Sequence, residues 1–262
     1  MNEVIALNIW QFALIYLLLI VVLLIMRNRR INQTKLLIVA SVRMTVQLVL
    51  AGLVLTYIFE NPHPGFVAGY LILMTGFAIY MVLRRAPKKL LNPRFRAIVG
   101  AALGVSGLGV VCFFITAVVG VSIFNPQYTI PISGMIIGNA MTGVGLGLKA
   151  FGENIESNRV RIETLLNMGA APRKILTPFV NKSVETALLP TLNSMLGMGI
   201  ISLPGMMTGQ ILSGTLPTTA ILYQIAIIIA ISAVTCLAVF LCLYFGAGTL
   251  YNRRGQMTVD GS

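Results

Sequence analysis

Arg43, Gln47, Asn139, Thr142, Asn193 and Gln210 bring hydrogen-bonding ends into stretches that are otherwise apolar. At membrane depth such groups must find a neighbouring helix or a wet cavity, because hydrocarbon offers no partner. The chemistry open to them is recognition and passage of a polar cargo rather than bond making. Catalytic sets are missing: there is a single histidine, His63, and no Ser-His-Asp set, HExxH, CxxC or carboxylate pair within one apolar run. Nothing of the form GxxxxGK[ST] occurs, so the chain has no P-loop with which to hydrolyse ATP.

Pro204 and Gly205 lie together in Ser202–Gly214, where they must break a helix, and freed backbone groups at depth are tolerated only inside protein or beside water. The sequence therefore predicts a broken or re-entrant sixth segment near a cavity. The candidates for a translocation path are Arg43, Gln47, Asn139, Thr142, Asn193, Pro204, Met206, Met207 and Gln210. Arg43 lies within snorkelling reach of the inner surface, and its structural alternative is a pair with Glu185 or with helix-end carbonyls. Thioethers at Met135, Met141, Met195, Met198, Met206 and Met207 would suit Cu(I) better than iron, and flexible core filling is their more ordinary use. Cys112, Cys236 and Cys242 have no metal-type spacing and read as buried apolar thiols. No metal ligands are assigned.

Small residues four apart, Gly134/Gly138 and Gly143/Gly147, allow helix backbones to approach closely. The long polar segment Lys149–Lys182 is too polar to span a bilayer and too well patterned for a slack linker. Ile155, Ile162, Leu165, Leu166 and Gly169 fall near one helical face, with Glu153, Glu156, Arg159, Arg161 and Glu163 on the remainder. Gly169 is a natural terminator, and Pro172 suits the start of a second short helix. The expectation is helix, tight turn, helix, gripped by a soluble partner.

The elements that carry these residues follow from composition. With 262 residues, 57% of them hydrophobic and 10% charged, and a mean hydropathy of +0.89, the chain is expected to be an all-α polytopic membrane protein. Its apolar runs last about 20 residues without the alternation of barrel strands. About seven spans are expected, at 5–26, 36–59, 65–83, 97–124, 130–148, 185–213 and 219–246, in one permease domain over 1–262. The first two are rich in Leu, Ile and Val, as lipid-facing helices are, and the last is scaffold. Every Lys and Arg except Arg43 falls on one side of this frame, so the net charge of +12 reads as a topology signal and not as nucleic-acid binding. The positive-inside rule then puts the N-terminus outside and the C-terminus, with Arg253 and Arg254, in the cytoplasm. With no Asp or Glu at mid-membrane to relay protons, partner energy is favoured over a gradient.

Glu163-Thr-Leu-Leu-Asn-Met-Gly169-Ala-Ala-Pro172, with Ile175 and Pro178, resembles the EAA-type coupling loop of ATP-binding-cassette permeases, although Thr164-Leu165 replace the paired alanines. Together with PISGMIIGNAM at 131–141, ALLPT at 187–191, SLPGMMTGQI at 202–211 and the Ser-Val-Arg segment with Gln47, it resembles FetB-like permeases, a proposed iron-export family with plant aluminium-tolerance relatives. The resemblance covers essentially the whole chain. It implies export across the plasma membrane, the inner membrane of a bacterium, by two permease copies with a separate FetA-like ATPase. ATP and Mg would then sit on that partner, with no cofactor intrinsic to this chain. Glu153, Glu156, Arg159, Ile162, Glu163, Leu166, Gly169 and Pro172 are the residues expected to couple to it. The other readings are export of an organic anion, a nucleotide sugar or a lipid-like molecule, and a membrane anchor for the ATPase that transports nothing.

Overall fold

The computed structural model describes residues 8–251, the side chain of Ile9 excepted. Arg253 and Arg254 and the start of the first expected span lie outside the described residues. The elements are α1 (Ile9–Asn28), α2 (Thr34–Glu60), α3 (Pro64–Arg85), α4 (Pro93–Phe113), α5 (Pro126–Ser157), α6 (Arg159–Asn167), α7 (Pro172–Gly197), α8 (Gly205–Leu212) and α9 (Pro217–Ala247). A π-helical stretch, Phe114–Val119, prolongs α4 until Gly120 turns left-handed. Proline opens α3, α4, α5, α7 and α9, at the position where its missing N–H costs nothing. His63 has a structural role: its Nδ1 accepts from the Gly65 N–H at 3.0 Å and caps α3.

The chain is an all-α polytopic membrane protein. Among the described residues, 6 helices are long and apolar enough to cross a membrane: α1, α2, α3, α4 with its π-helical stretch, α5 and α9. The expected span 185–213 is not one continuous crossing. It is divided between the second half of α7 and the short α8, separated by Met198–Pro204, where Gly199 has φ +86° and the Gly199 N–H donates to the Ser202 carbonyl at 2.9 Å. The break predicted from Pro204-Gly205 is therefore present, with Pro204 just before the first residue of α8.

The polar segment 149–182 differs from its expected outline. Lys149–Ser157 continues α5 without interruption, because no Gly-Pro break intervenes and Phe151 and Ile155 keep the buried stripe going. The amphipathic helix is split at Asn158, so Ile155 and Ile162 belong to different helices. The second helix is not short: α7 runs 26 residues from Pro172 into the bundle.

α5 and α9 form the centre. Ile136, Val144 and Leu148 of α5 share one buried core with Val234, Val239 and Leu243 of α9 and with Phe95, Val99 and Leu103 of α4. Between helices in lipid there is no net hydrophobic drive, so close packing must hold them. A Cβ on Gly143 would run into Thr235, and one on Gly147 would lie 2.7 Å from Val239 Cγ1. α1 and α2 differ: among the described side chains none of α1 and only Ile58 of α2 is buried, so within one chain their apolar surfaces stay open. A hydrogen bond of 2.7 Å between the Tyr16 and Thr45 hydroxyls joins them. Of the cysteines, only Cys242 is buried; Cys236 is half-buried and Cys112 is exposed, because its helix turns that side outward.

Candidate functional site

Two features stand apart from the packed bundle: an elbow at one end and an open face on α5. The elbow starts where α5 leaves the apolar belt. α6 lies across the ends of α5 and α7, anchored by Ile162, which is fully buried. The Gly169 N–H donates to the Leu166 carbonyl at 2.9 Å and the Ala170 N–H to the Leu165 carbonyl at 3.0 Å, closing the helix. Gly169 has φ +82°, a conformation that disfavours any side chain, and Pro172 then opens α7.

The charged coupling candidates are mostly engaged within the elbow. Arg159 Nε donates to Glu163 Oε1 at 2.8 Å, Lys89 Nζ to Glu156 Oε2 at 3.0 Å, and Lys149 Nζ lies 3.8 Å from Glu153 Oε1. All are exposed pairs, which contribute at most about 1 kcal/mol each. They fix the surface pattern more than the stability. Ile162 faces inward and cannot touch a partner, and Leu166 is half-buried. Sequence reasoning missed the outward pair Val160 and Met168, 79% and 77% exposed. Their signal was present: Val160 falls opposite the Ile162–Leu165–Leu166 stripe of α6, and Met168 caps the helix just before the Gly169 turn.

On α5, Gly138, Asn139, Thr142, Gly145, Leu146 and Lys149 line one face that no helix of the bundle covers fully. Asn139 Nδ2 donates to the Met135 carbonyl at 2.7 Å, and the Thr142 hydroxyl to the Gly138 carbonyl at 3.0 Å. The amide expected to need a neighbouring helix or a wet cavity bonds instead to a carbonyl of its own preceding turn. Asn139 lies about 20 Å and Thr142 about 24 Å along α5 from Pro126.

The other path candidates fall on separate elements. Asn193 is exposed on α7, while Met206, Met207 and Gln210 lie half-buried on α8 behind Pro204. Gln47 is exposed on α2, and the half-buried Arg43 meets not Glu185 but the ring of Phe77, 5.3 Å from its centroid. Gln224 was missed: it is buried in aliphatic α9, donates to Met198 Sδ at 3.8 Å, and leaves its Oε1, like that of Gln210, without a partner. A lone glutamine among Ile and Ala was the available clue. Among the described residues no group of 3 or more His, Cys, Asp or Glu could hold a metal ion.

Comparison with known proteins matches residues 9–251 to the model described as "Uncharacterised protein family (UPF0014)". The chain is 30% identical over 249 residues to "UPF0014 membrane protein YjkA" of Bacillus subtilis, covering 94% of this chain and 98% of that one. It is 30% identical to "Probable iron export permease protein FetB" of Escherichia coli, covering 95% and 94%. It is 35% identical over 185 residues to "Protein ALUMINUM SENSITIVE 3" of Arabidopsis thaliana, covering 71% and 66%. No solved structure matches. A family match from end to end of the described helices, with relatives aligned over nearly their whole length, makes this chain a member of the UPF0014 family of membrane proteins.

Proposed function

We propose that the chain is the membrane-spanning permease of an ATP-driven exporter whose energy comes from a separate cytoplasmic ATPase, which holds the ATP and Mg. The observation that carries this reading is the elbow: a polar corner beyond the membrane with Val160 and Met168 turned outward while Ile162 anchors it from within. Outward apolar residues on a rigid, water-exposed corner suit a protein partner. Two permease copies would form the working unit, with the elbow in the cytoplasm and the N-terminus outside, a placement supported by the basic residues clustered in the loops on the elbow's side. The chain itself contributes no catalytic step.

The mechanism uses continuity. From Ser157 back to Thr142, α5 is unbroken for about 22 Å, so displacement of the elbow moves the open face of α5 as a lever. The broken α7–α8 segment beside it supplies the second arrangement that a two-state transporter needs. The relative named an iron export permease makes a metal ion, iron, the first cargo to test. The absence of a carboxylate, imidazole and thiol cluster among the described residues favours a second reading, a complexed metal or an organic cargo such as a nucleotide sugar.

The test is reconstitution with the partner ATPase. Val160→Asp combined with Met168→Asp should cut permease-stimulated ATP hydrolysis by an order of magnitude, since hot-spot losses of about 2 kcal/mol are typical of such anchors. Membrane insertion should be unchanged. Full stimulation by the folded double variant would remove the coupling assignment. Flux in proteoliposomes, comparing iron with a nucleotide sugar, separates the two cargos, and ATPase binding without flux of any cargo would make the chain an anchor.

A further inference from the structure

We propose that the groove between the inner ends of α3 and α5 binds the headgroup of an anionic phospholipid, with the lipid's upper acyl chain lying along α5. The groove has a volume of about 210 Å³. Arg85, the last residue of α3, and Lys149 of α5 lie at one end, while Met81, Val82, Met141 and Leu146 make the walls toward the membrane centre. Gly145 leaves the floor open, since a Cβ there would meet nothing within 4 Å.

The bland account of Arg85 and Lys149 is that they are topology charges, like the other basic residues of this surface. What distinguishes them is convergence: two cations from different helices share one cavity. Guanidinium and ammonium groups together suit a phosphate, the first by paired hydrogen bonds and the second as a point charge. Basic pockets between helices at the cytoplasmic surface are where anionic headgroups bind. Glu153 pairs with Lys149 only loosely, at 3.8 Å and with both side chains largely exposed. From Lys149 to Met141 the groove runs about 12 Å into the apolar belt, a length that a chain of methylenes uses and a soluble anion does not. The groove shares Thr142, Gly145, Leu146 and Lys149 with the open face of α5; the lipid site rests on the orientation proposed above but not on the chain transporting anything.

The experiment uses the full chain in detergent, with native mass spectrometry counting retained lipid after exposure to phosphatidylglycerol or phosphatidylcholine. Phosphatidylglycerol should be retained roughly tenfold better, and R85Q/K149Q should abolish that preference. R85K/K149R should keep it, as should R29Q/K35Q, which removes the same charge elsewhere. If the R85Q/K149Q protein does not fold, R85Q and K149Q alone should each lower the preference. The proposal is overturned if the preference survives these substitutions or falls as far in R29Q/K35Q. It is equally overturned if millimolar glycerol 3-phosphate displaces the lipid, which would make the groove a site for soluble anions.

Discussion

The two sides of α5 use the same residue types to opposite ends. Toward α9, Gly143 and Gly147 lie against Thr235 and Val239 with no room for a methyl group. Toward the open side, Gly138 and Gly145 meet nothing within 4 Å, and Asn139 and Thr142 stand exposed beside them. A glycine every few residues therefore has no single meaning in a membrane helix. On one side it makes room for side chains of the neighbouring helix, and on the other it leaves the surface of α5 open.

The largest effect should come from closing the tight side. Gly143→Val or Gly147→Val inserts bulk against α9 in a place with no slack, and over-packing of this kind costs about 1–3 kcal/mol. Thermal unfolding of the purified chain should shift down by about 5 °C or more. A shift no larger than that of a lipid-facing control such as Leu18→Val would mean that the α5–α9 seam is looser than its geometry.

The open side should respond in function and not in stability. Asn139→Leu and Gly138→Val remove nothing that packs within the chain, so unfolding should move by no more than about 0.5 kcal/mol. Under the exporter reading, both should reduce ATP-driven flux several-fold while ATPase binding at the elbow persists. Equal destabilisation by Gly138→Val and Gly143→Val would erase the distinction between the two faces.

Sequence pattern carried much of this arrangement, for identifiable reasons. The turn at Gly169–Pro172 and the break at Pro204-Gly205 were legible because glycine and proline act locally, through φ and a missing N–H. The small share of α1 and α2 in the core was legible because a helix apolar on all sides has no distinct bundle face. The inner extension of α5 was not, since a helix entering water becomes polar on its outer face while Phe151 and Ile155 continue the buried stripe. Hydropathy falls there without any break in structure. The split at Asn158 had no glycine or proline to announce it. The partner of Arg43 was misjudged because charge suggested Glu185, whereas the fold places Phe77 on α3 beneath the guanidinium and leaves Glu185 exposed on α7.

That last contact gives the smallest prediction and bears on the same comparison, since α2 meets the bundle on α3 and α5. Few other contacts hold the α1–α2 hairpin there, so Arg43 over Phe77 is a tether of modest strength. A cation over a phenyl ring in a partly desolvated place contributes about 0.5–1 kcal/mol. Phe77→Leu and Arg43→Gln should each lower stability by about that amount, and the double variant by little more than either alone, because both remove one interaction. Flux should stay near that of the parent in Phe77→Leu. If Arg43→Gln instead abolishes flux while Phe77→Leu does not, and the two losses simply add, the arginine serves the path and its contact with the ring is incidental. The functional side of α5 would then extend across to α2, and the open face would be one wall of a route whose other wall carries a charge.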